Sequence, residues 1–313
     1  MRAWQKARVA VIGEFFVDQV FSGFTVLPKM GEEAFARSYR REVGGGAATT
    51  ACALAKLGVK VTVFGAVGSE DGPWVFNRLK SFGVDCSGLQ CEPGEPTGVT
   101  VSVSTREDRS FFTYYGANER LNRILQDPET ERQLSATKHV HFACALDPDT
   151  DASMLAAIGR TARTSIDVQS HISWLTHPES LNILRRCDVF FPNEREGGWI
   201  SSEVKPHDIL QNLRRRGLRG VGLKLGGRGA ALLWRRRQYL ADPYPVETVD
   251  TTGAGDCFNA GFIFAWLRGD NAQRCLEVAN ICGALSTREM GGIEGFPSLA
   301  ELQECETRLA EKR

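Results

Sequence analysis

Val249-Asp250-Thr251-Thr252-Gly253-Ala254-Gly255-Asp256-Cys257-Phe258-Asn259-Ala260-Gly261-Phe262 reads as an extended lead, a glycine turn and the start of an apolar helix. Glycine reaches backbone conformations closed to other residues, so Gly253 and Gly255 let neighbouring N–H groups converge. The helix that follows adds the positive end of its dipole. Together these features make an anion hole, suited to a phosphoryl group in transfer. Asp256 falls in the first helical turn beside it, where a carboxylate can take a proton from a hydroxyl. A purely structural reading makes the glycines a tight turn and Asp256 a helix N-terminal acid. The combined pattern Asp-Thr-x-Gly-Ala-Gly-Asp is more specific than either feature and favours the chemical reading.

Outward from this stretch, short β-rich runs alternate with longer segments of helical period, the pattern of a parallel sheet covered by helices. Strands are expected over 9–12, 59–64, 139–142, 164–168, 188–191, 221–225 and 230–234. Helices are expected over 47–57, 72–82, 152–163 and 178–186, with 254–267 and 272–286 as the last long ones. Residues 97–105 and 109–115 alternate as a hairpin about the charged turn Arg106-Glu107-Asp108, outside the βαβ rhythm. The fold class is α/β: one domain over residues 1–313, with a small β excursion drawn from residues 15–43 and 97–117.

A second glycine-rich stretch, Val43-Gly44-Gly45-Gly46-Ala47-Ala48-Thr49-Thr50-Ala51-Cys52-Ala53-Leu54-Ala55-Lys56-Leu57-Gly58, precedes the first by about 200 residues. The two segments resemble, in order, the N-terminal and C-terminal signatures of the ribokinase-like (PfkB) family of carbohydrate and nucleoside kinases. With the rhythm between them, the resemblance covers essentially the whole chain. It implies a ribokinase-like three-layer sandwich, its mainly parallel central sheet flanked by helices, with a small β-sheet lid. It also implies ATP-dependent phosphorylation of an alcohol, with Mg2+ and without a Walker A loop. No Gly-x4-Gly-Lys-Ser/Thr occurs in the chain.

By the same resemblance Asp256 is the catalytic base, and Gly253, Ala254 and Gly255 form the anion hole. Asp250 and Thr252 match positions that bind a monovalent cation such as K+ in activated members, whereas residues 286–295 depart from the ribokinase pattern. Asn193-Glu194-Arg195-Glu196 is similar to the family's Asn-x-x-Glu motif, which assigns Asn193 to the phosphates and Glu196 to water ligands of magnesium. A helix start with ordinary acids is the structural alternative. Lys224-Leu225-Gly226-Gly227-Arg228-Gly229 resembles the strand–glycine turn under the nucleotide. Gly226, Gly227 and Gly229 would line the ATP site, Lys224 would face phosphate, and Asn280 would stand near the adenine or else pack its helix.

On the acceptor side, Asp18 follows the first strand, and ligands of open α/β sheets bind at strand carboxyl ends. The family uses an Asp there for sugar hydroxyls. Gly44, Gly45 and Gly46 allow close backbone approach to a sugar. Thr49 stands where many members carry an Asn, a departure in hydrogen-bonding capacity. Asp167-Val168-Gln169-Ser170-His171 is similar to the Asp-x-Asn-x-Arg stretch of fructokinase-like and ketodeoxygluconate-kinase-like members, so Asp167 and Gln169 are candidate pocket residues. Arg109, on a hairpin resembling the family's lid, is a further one. The implied substrate is an unphosphorylated sugar or keto-sugar acid. A nucleoside kinase of the same fold and a catalytically silent sugar-binding protein are the alternatives. An outer lid surface in need of cover points to a homodimer through the lid.

Composition agrees with a globular protein of this kind. Of 313 residues 42% are hydrophobic and 24% charged, and 38 Lys plus Arg balance 38 Asp plus Glu. Such a chain has no general pull toward nucleic acid or an anionic membrane. No apolar run is long enough to span a bilayer. The N-terminal apolar run is too short for a signal-peptide core. Nine cysteines without Cys-x-x-Cys or zinc-site spacing read as reduced structural thiols. The location expected from these features is the cytoplasm. A dinucleotide-dependent oxidoreductase would need Gly-x-Gly-x-x-Gly after the first strand, which is absent.

Overall fold

The computed structural model describes residues 3–105, 109–148 and 152–311. The turn Arg106-Glu107-Asp108 lies outside them. The first strand, β1 (Arg8–Gly13), shows why the fold is layered. Val9 and Val11 pack into one core cluster, and Ala10 and Ile12 into another. A strand buried on both faces reads as an uninterrupted apolar run and needs helices above and below it.

The remaining strands are β2 (Phe16–Ser22), β3 (Ser38–Gly44), β4 (Lys60–Gly68), β5 (Asp85–Glu92), β6 (Gly98–Ser104) and β7 (Arg109–Tyr114). They continue as β8 (His139–Ala143), β9 (Arg163–Ile166), β10 (Val189–Phe190), β11 (Gly220–Lys224), β12 (Ala230–Trp234) and β13 (Arg237–Ala241). Nine of them form one sheet in the order β13-β12-β11-β10-β9-β8-β1-β4-β5. It is parallel from β5 to β11 and closes with the antiparallel hairpin β12–β13. The helices Gly46–Lys56, Ala254–Arg268 and Ala272–Ser286 pack together on the Val9 face.

The other four strands make a separate small sheet in the order β3-β2-β6-β7. Residues 15–43 and 97–117 therefore meet in one sheet, with β2 and β6 parallel from Phe16↔Gly98 to Ser22↔Ser104. Among the elements not read from periodicity, along with the helices Pro128–Ser135 and Pro206–Arg215, are three whose patterns explain it. Strand β5 has a half-exposed pattern, β13 begins inside an arginine run, and the helix Leu299–Glu311 buries few side chains and carries many charges. The helix expected over 152–163 ends at Ile158, short of Gly159, and the one expected over 178–186 is Ser180–Leu184.

Asn118 joins the small sheet to the large one. Its side chain accepts from the Phe15 N–H at 2.8 Å and donates to the Phe15 carbonyl at 2.9 Å, all within the protein interior. Phe15 lies between β1 and β2, where the chain passes from one sheet to the other. Asn118→Ala strands both backbone groups and is expected to destabilise the fold by about 1–3 kcal/mol. The urea midpoint should fall while the slope of the transition stays constant.

Candidate active site

The carboxyl ends of β1, β9, β10 and β11 point toward the start of the Ala254–Arg268 helix, where two cavities meet. The first, of about 520 Å3, opens beneath the small sheet, and Asp18, Gly44, Gly45, Gly46, Thr49 and Gln169 help to line it. The second, of about 470 Å3, is bordered by Lys224, Gly226, Gly227, Gly229 and Asn280. Gly253 and Asp256 belong to the wall of the first, Ala254 and Gly255 to that of the second.

Gly253 caps the helix with φ of 73°. A Cβ there would fall 2.5 Å from the Gly292 carbonyl oxygen and 2.9 Å from Thr49 Cγ2, so only glycine makes this turn. One carboxylate staples the loop. Asp250 Oδ1 accepts from the Thr252 N–H at 2.9 Å and the Thr252 hydroxyl at 2.8 Å, and Oδ2 accepts from the Gly291 N–H at 3.0 Å. The geometry thus gives Asp250 and Thr252 a clasp between two loops.

Asp256 stands half-buried on the cavity wall. Burial pushes its carboxyl up to about 8; Asp167 and Glu196 add to the rise and Lys224 opposes it. Lys224 Nζ donates to Asp167 Oδ2 at 2.7 Å, as does Asn259 Nδ2. Asp167 Oδ1 accepts from the Gln169 N–H at 2.9 Å. Desolvation opposes ionisation at Asp167, but Lys224 and these donors hold its carboxyl below the ordinary value. Lys224 is likewise desolvated, yet Asp167 and Glu196 keep its ammonium above the usual lysine range. Asp167 is 3% exposed and lies behind the acceptor-side wall, not on it. That departs from the expected pocket role, because its oxygens are spent on Lys224, Asn259 and backbone.

Asn193 and Glu196 form a reciprocal helix cap. Glu196 Oε2 accepts from the Asn193 N–H at 2.8 Å, and Asn193 Oδ1 accepts from the Glu196 N–H at 2.9 Å. Burial, and then Asp167, raise the Glu196 carboxyl above its ordinary value. Asn280 donates to the Asp242 carbonyl at the rim of the second cavity.

On the acceptor side, Gly44 and Gly46 permit contacts that no side chain could share. A Cβ on Gly44 would overlap the Asp18 carboxylate. One on Gly46 would overlap Gln169 Nε2 and fall 3.2 Å from Asp256 Oδ1. Gln169 holds this place with φ of 52°, a left-handed backbone unusual outside glycine. Asp18 lies directly opposite Glu42 in the β2–β3 register. Burial, helped by Glu42, pushes its carboxyl up to about 7. Arg109 opens β7, and its side chain lies outside the described residues.

Comparison with known proteins adds to this geometry. The model of the pfkB family of carbohydrate kinases matches residues 6–299. The chain belongs to that family. An ATP-dependent ribose-1-phosphate kinase of Halopiger xanaduensis is 33% identical over 275 residues, 85% of this chain and 87% of its own. An Escherichia coli structure provisionally named ribokinase II, in complex with ATP and Mg2+, superposes with a TM-score of 0.81 at 27% identity, over 96% of this chain and 99% of that one. Arabidopsis thaliana ribokinase, complexed with ribose and ATP, gives 0.85 at 23% identity over 96% and 98%. The fold is ribokinase-like, and this pfkB kinase is an ATP-dependent sugar kinase.

Of five polar side chains in or beside the site of this pfkB kinase, only His171 was singled out from sequence. Glu14 and His171 approach to 3.5 Å across the acceptor cavity, and the Tyr115 hydroxyl lies 3.2 Å from His171 Nε2. Arg40 reaches from β3 to the Met290 carbonyl at 2.7 Å. Asn259 follows Asp256 by three residues, a spacing that shares a helix face and could have revealed it.

Gly46→Ala should drive the Gln169 amide toward Asp256. We expect kcat/KM to fall at least about 100-fold, the scale for misplacement of about 1 Å at a reacting centre. Circular dichroism should report an intact fold.

Proposed function

We propose that Asp256 is the general base of this kinase and that the backbone of residues 253–255 holds the phosphoryl group in transfer. One observation carries the reading: Asp256 faces the acceptor cavity from the helix turn at which that cavity meets the second, glycine-lined one. A sugar hydroxyl beside Gly46 would be within reach of Asp256, and ATP in the second cavity would direct its terminal phosphate to the helix N-terminus. Lys224, anchored by Asp167, which Asn259 holds in turn, presents an ammonium beside Gly255. Asp18 takes the acceptor's hydroxyls, with Gly44, Gly45 and Thr49 forming the adjoining wall.

Magnesium fits this donor set as a companion of the nucleotide and not as a resident ion. Among the described residues no three His, Cys, Asp or Glu side chains are grouped to hold a metal. Asp167, Glu196 and Asp256 nevertheless surround a single lysine; burial raises the carboxyls of Glu196 and Asp256, and the charge of Asp167 adds to both. When bound with ATP, magnesium supplies charge neutralisation between the phosphates. Glu196 and Asn193 would orient its water shell and the phosphates.

The first reading of the acceptor is an unphosphorylated sugar or keto-sugar acid. A second, an acceptor already bearing a phosphate, is favoured by Arg40 and His171 on the cavity wall and by the ribose-1-phosphate kinase relative. The nucleoside alternative fits less well, because Phe16 and Tyr115 meet edge-on at 6.0 Å and do not form a stacked slot for a base. ADP-release assays across pentoses, pentose 1-phosphates, keto-sugar acids and nucleosides separate these readings.

The small sheet acts as a lid and a dimer surface in this proposal. Phe111, Thr113 and Tyr115 line the cavity, so the alternating Phe112 and Tyr114 face outward, where both are more than half exposed. An outer β surface bearing exposed aromatic rings calls for a second copy to cover it. The nine cysteines are all free, in keeping with a reducing cytoplasm. Phe112→Glu should convert a dimer to a monomer in size-exclusion chromatography; a wild-type monomer at micromolar concentration would remove this part of the proposal.

Asp256→Asn should lower turnover by about 10²–10⁴-fold or more with the ATP KM little changed. In the wild type, kcat/KM for the acceptor should climb with pH through the range set by the raised carboxyls near 7 and 8. The stability effect has the opposite slope. An aspartate held near 8 when folded, against 3.8 ordinarily, favours the folded state at low pH and loses that contribution as pH climbs between the two. Asp256→Asn should therefore melt higher than wild type at pH 8. Wild-type turnover in the variant would show the base assignment to be wrong.

A further inference from the structure

A cleft of about 680 Å3 lies at the opposite end of β11 from Lys224, away from both cavities of the active site. Arg214, Arg215, Arg219, Arg235 and Arg236 line it, together with the indoles of Trp234 and Trp266. Its single acid is Asp188, whose carboxylate is occupied by the Thr164 N–H at 2.9 Å. Among the described residues no carboxylate pairs with any of the five guanidinium groups. In a chain of zero formal charge this is a concentrated positive field, five guanidinium groups against one carboxylate.

Local structure accounts for only part of it. Arg214 and Arg215 occupy the last turn of the Pro206–Arg215 helix, where cations complement the helix dipole. Arg219, Arg235 and Arg236 have no such reason. Arg235 and Arg236 form the two-residue loop between β12 and β13, closed by the Trp234↔Arg237 pair. Their φ angles are 46° and 76°, the left-handed pair that hairpins ordinarily fill with Asn-Gly. Two arginines adopt it at a steric cost, and strain of this kind gathers at functional sites. The Arg235 N–H donates to the Arg219 carbonyl at 3.0 Å, which fixes the loop against the cleft.

We propose that this cleft binds a small organic polyphosphate, with its phosphates on the arginines and its body against Trp234 and Trp266. Guanidinium groups suit phosphate by their forked donors and indoles suit a flat organic moiety. The volume is that of a small-molecule pocket. Trp266 lies near the end of the helix whose first turn bears Asp256, and Arg219 immediately precedes the strand that ends at Lys224. The occupant therefore rests on two elements that also build the active site.

The test is calorimetric titration of the full chain at about 0.15 M salt. The probes are inorganic tripolyphosphate, ADP and a 20-nucleotide single-stranded RNA. Two variants are compared with wild type: Arg219→Glu, and Arg235→Asn combined with Arg236→Gly. Tripolyphosphate should bind the wild type and lose at least about tenfold in affinity in each variant, with the ATP KM unchanged. ADP should show a second, tripolyphosphate-competed component that disappears with the arginines. The Asn-Gly loop should raise Tm, since it relieves the strained turn. Equal tripolyphosphate affinity in wild type and variants would overturn the proposal. So would RNA binding that depends on these arginines but is indifferent to tripolyphosphate.

Discussion

The Asp167–Lys224 ion pair is the interaction on which the site's geometry depends. It joins the chain just past β9 to the end of β11, and Asn259 adds the helix that begins at the anion hole. Three separate elements are thereby fixed around one buried carboxylate. Such a pair gains little over apolar packing, but removing one partner leaves a bare charge and costs about 3–5 kcal/mol. Its value here is registry. Lys224 is held beside Gly255 in advance, so that in the proposed mechanism little reorganisation is needed when a phosphate binds.

Around that pair, the site trades stability for readiness. Asp18, Glu196 and Asp256 are all kept above the ordinary carboxylate range by burial. A left-handed glutamine crowds the glycine at position 46. Each of these is unfavourable for the empty protein, and in the proposed mechanism becomes favourable when hydroxyls and a cation-bearing nucleotide are present. Glu42 shows the opposite treatment. Arg78 clamps it with two bonds of 2.6 and 2.8 Å, which ties the wall of the small sheet to the body.

The parallel sheet, the hairpin and the two glycine segments were legible because each rests on a local rule: period, turn chemistry or helix-start chemistry. The role of Asp167 was not. Strand-end placement put it near a ligand, but only the fold reveals that Lys224, 57 positions later, consumes its carboxylate. Asp250 is similar, since its partner Gly291 is distant in sequence. The Asn193–Glu196 pair was legible in both its readings, and the helix cap is the one the geometry displays. Helix Leu299–Glu311 escaped notice because charges dominate its sequence and its apolar stripe is narrow.

The position of β1 carries a consequence for biosynthesis. Strand β1 sits between β4 and β8 and cannot complete its pairing until residue 139 has emerged from the ribosome. The glycine bend at 44–46 then waits longer still for the Asp256 turn that faces it. Contacts so distant along the chain slow folding and prolong the exposure of apolar strands. Nascent chains truncated before β8 should thus be chaperone clients, with the central strand of the finished enzyme as their stickiest segment.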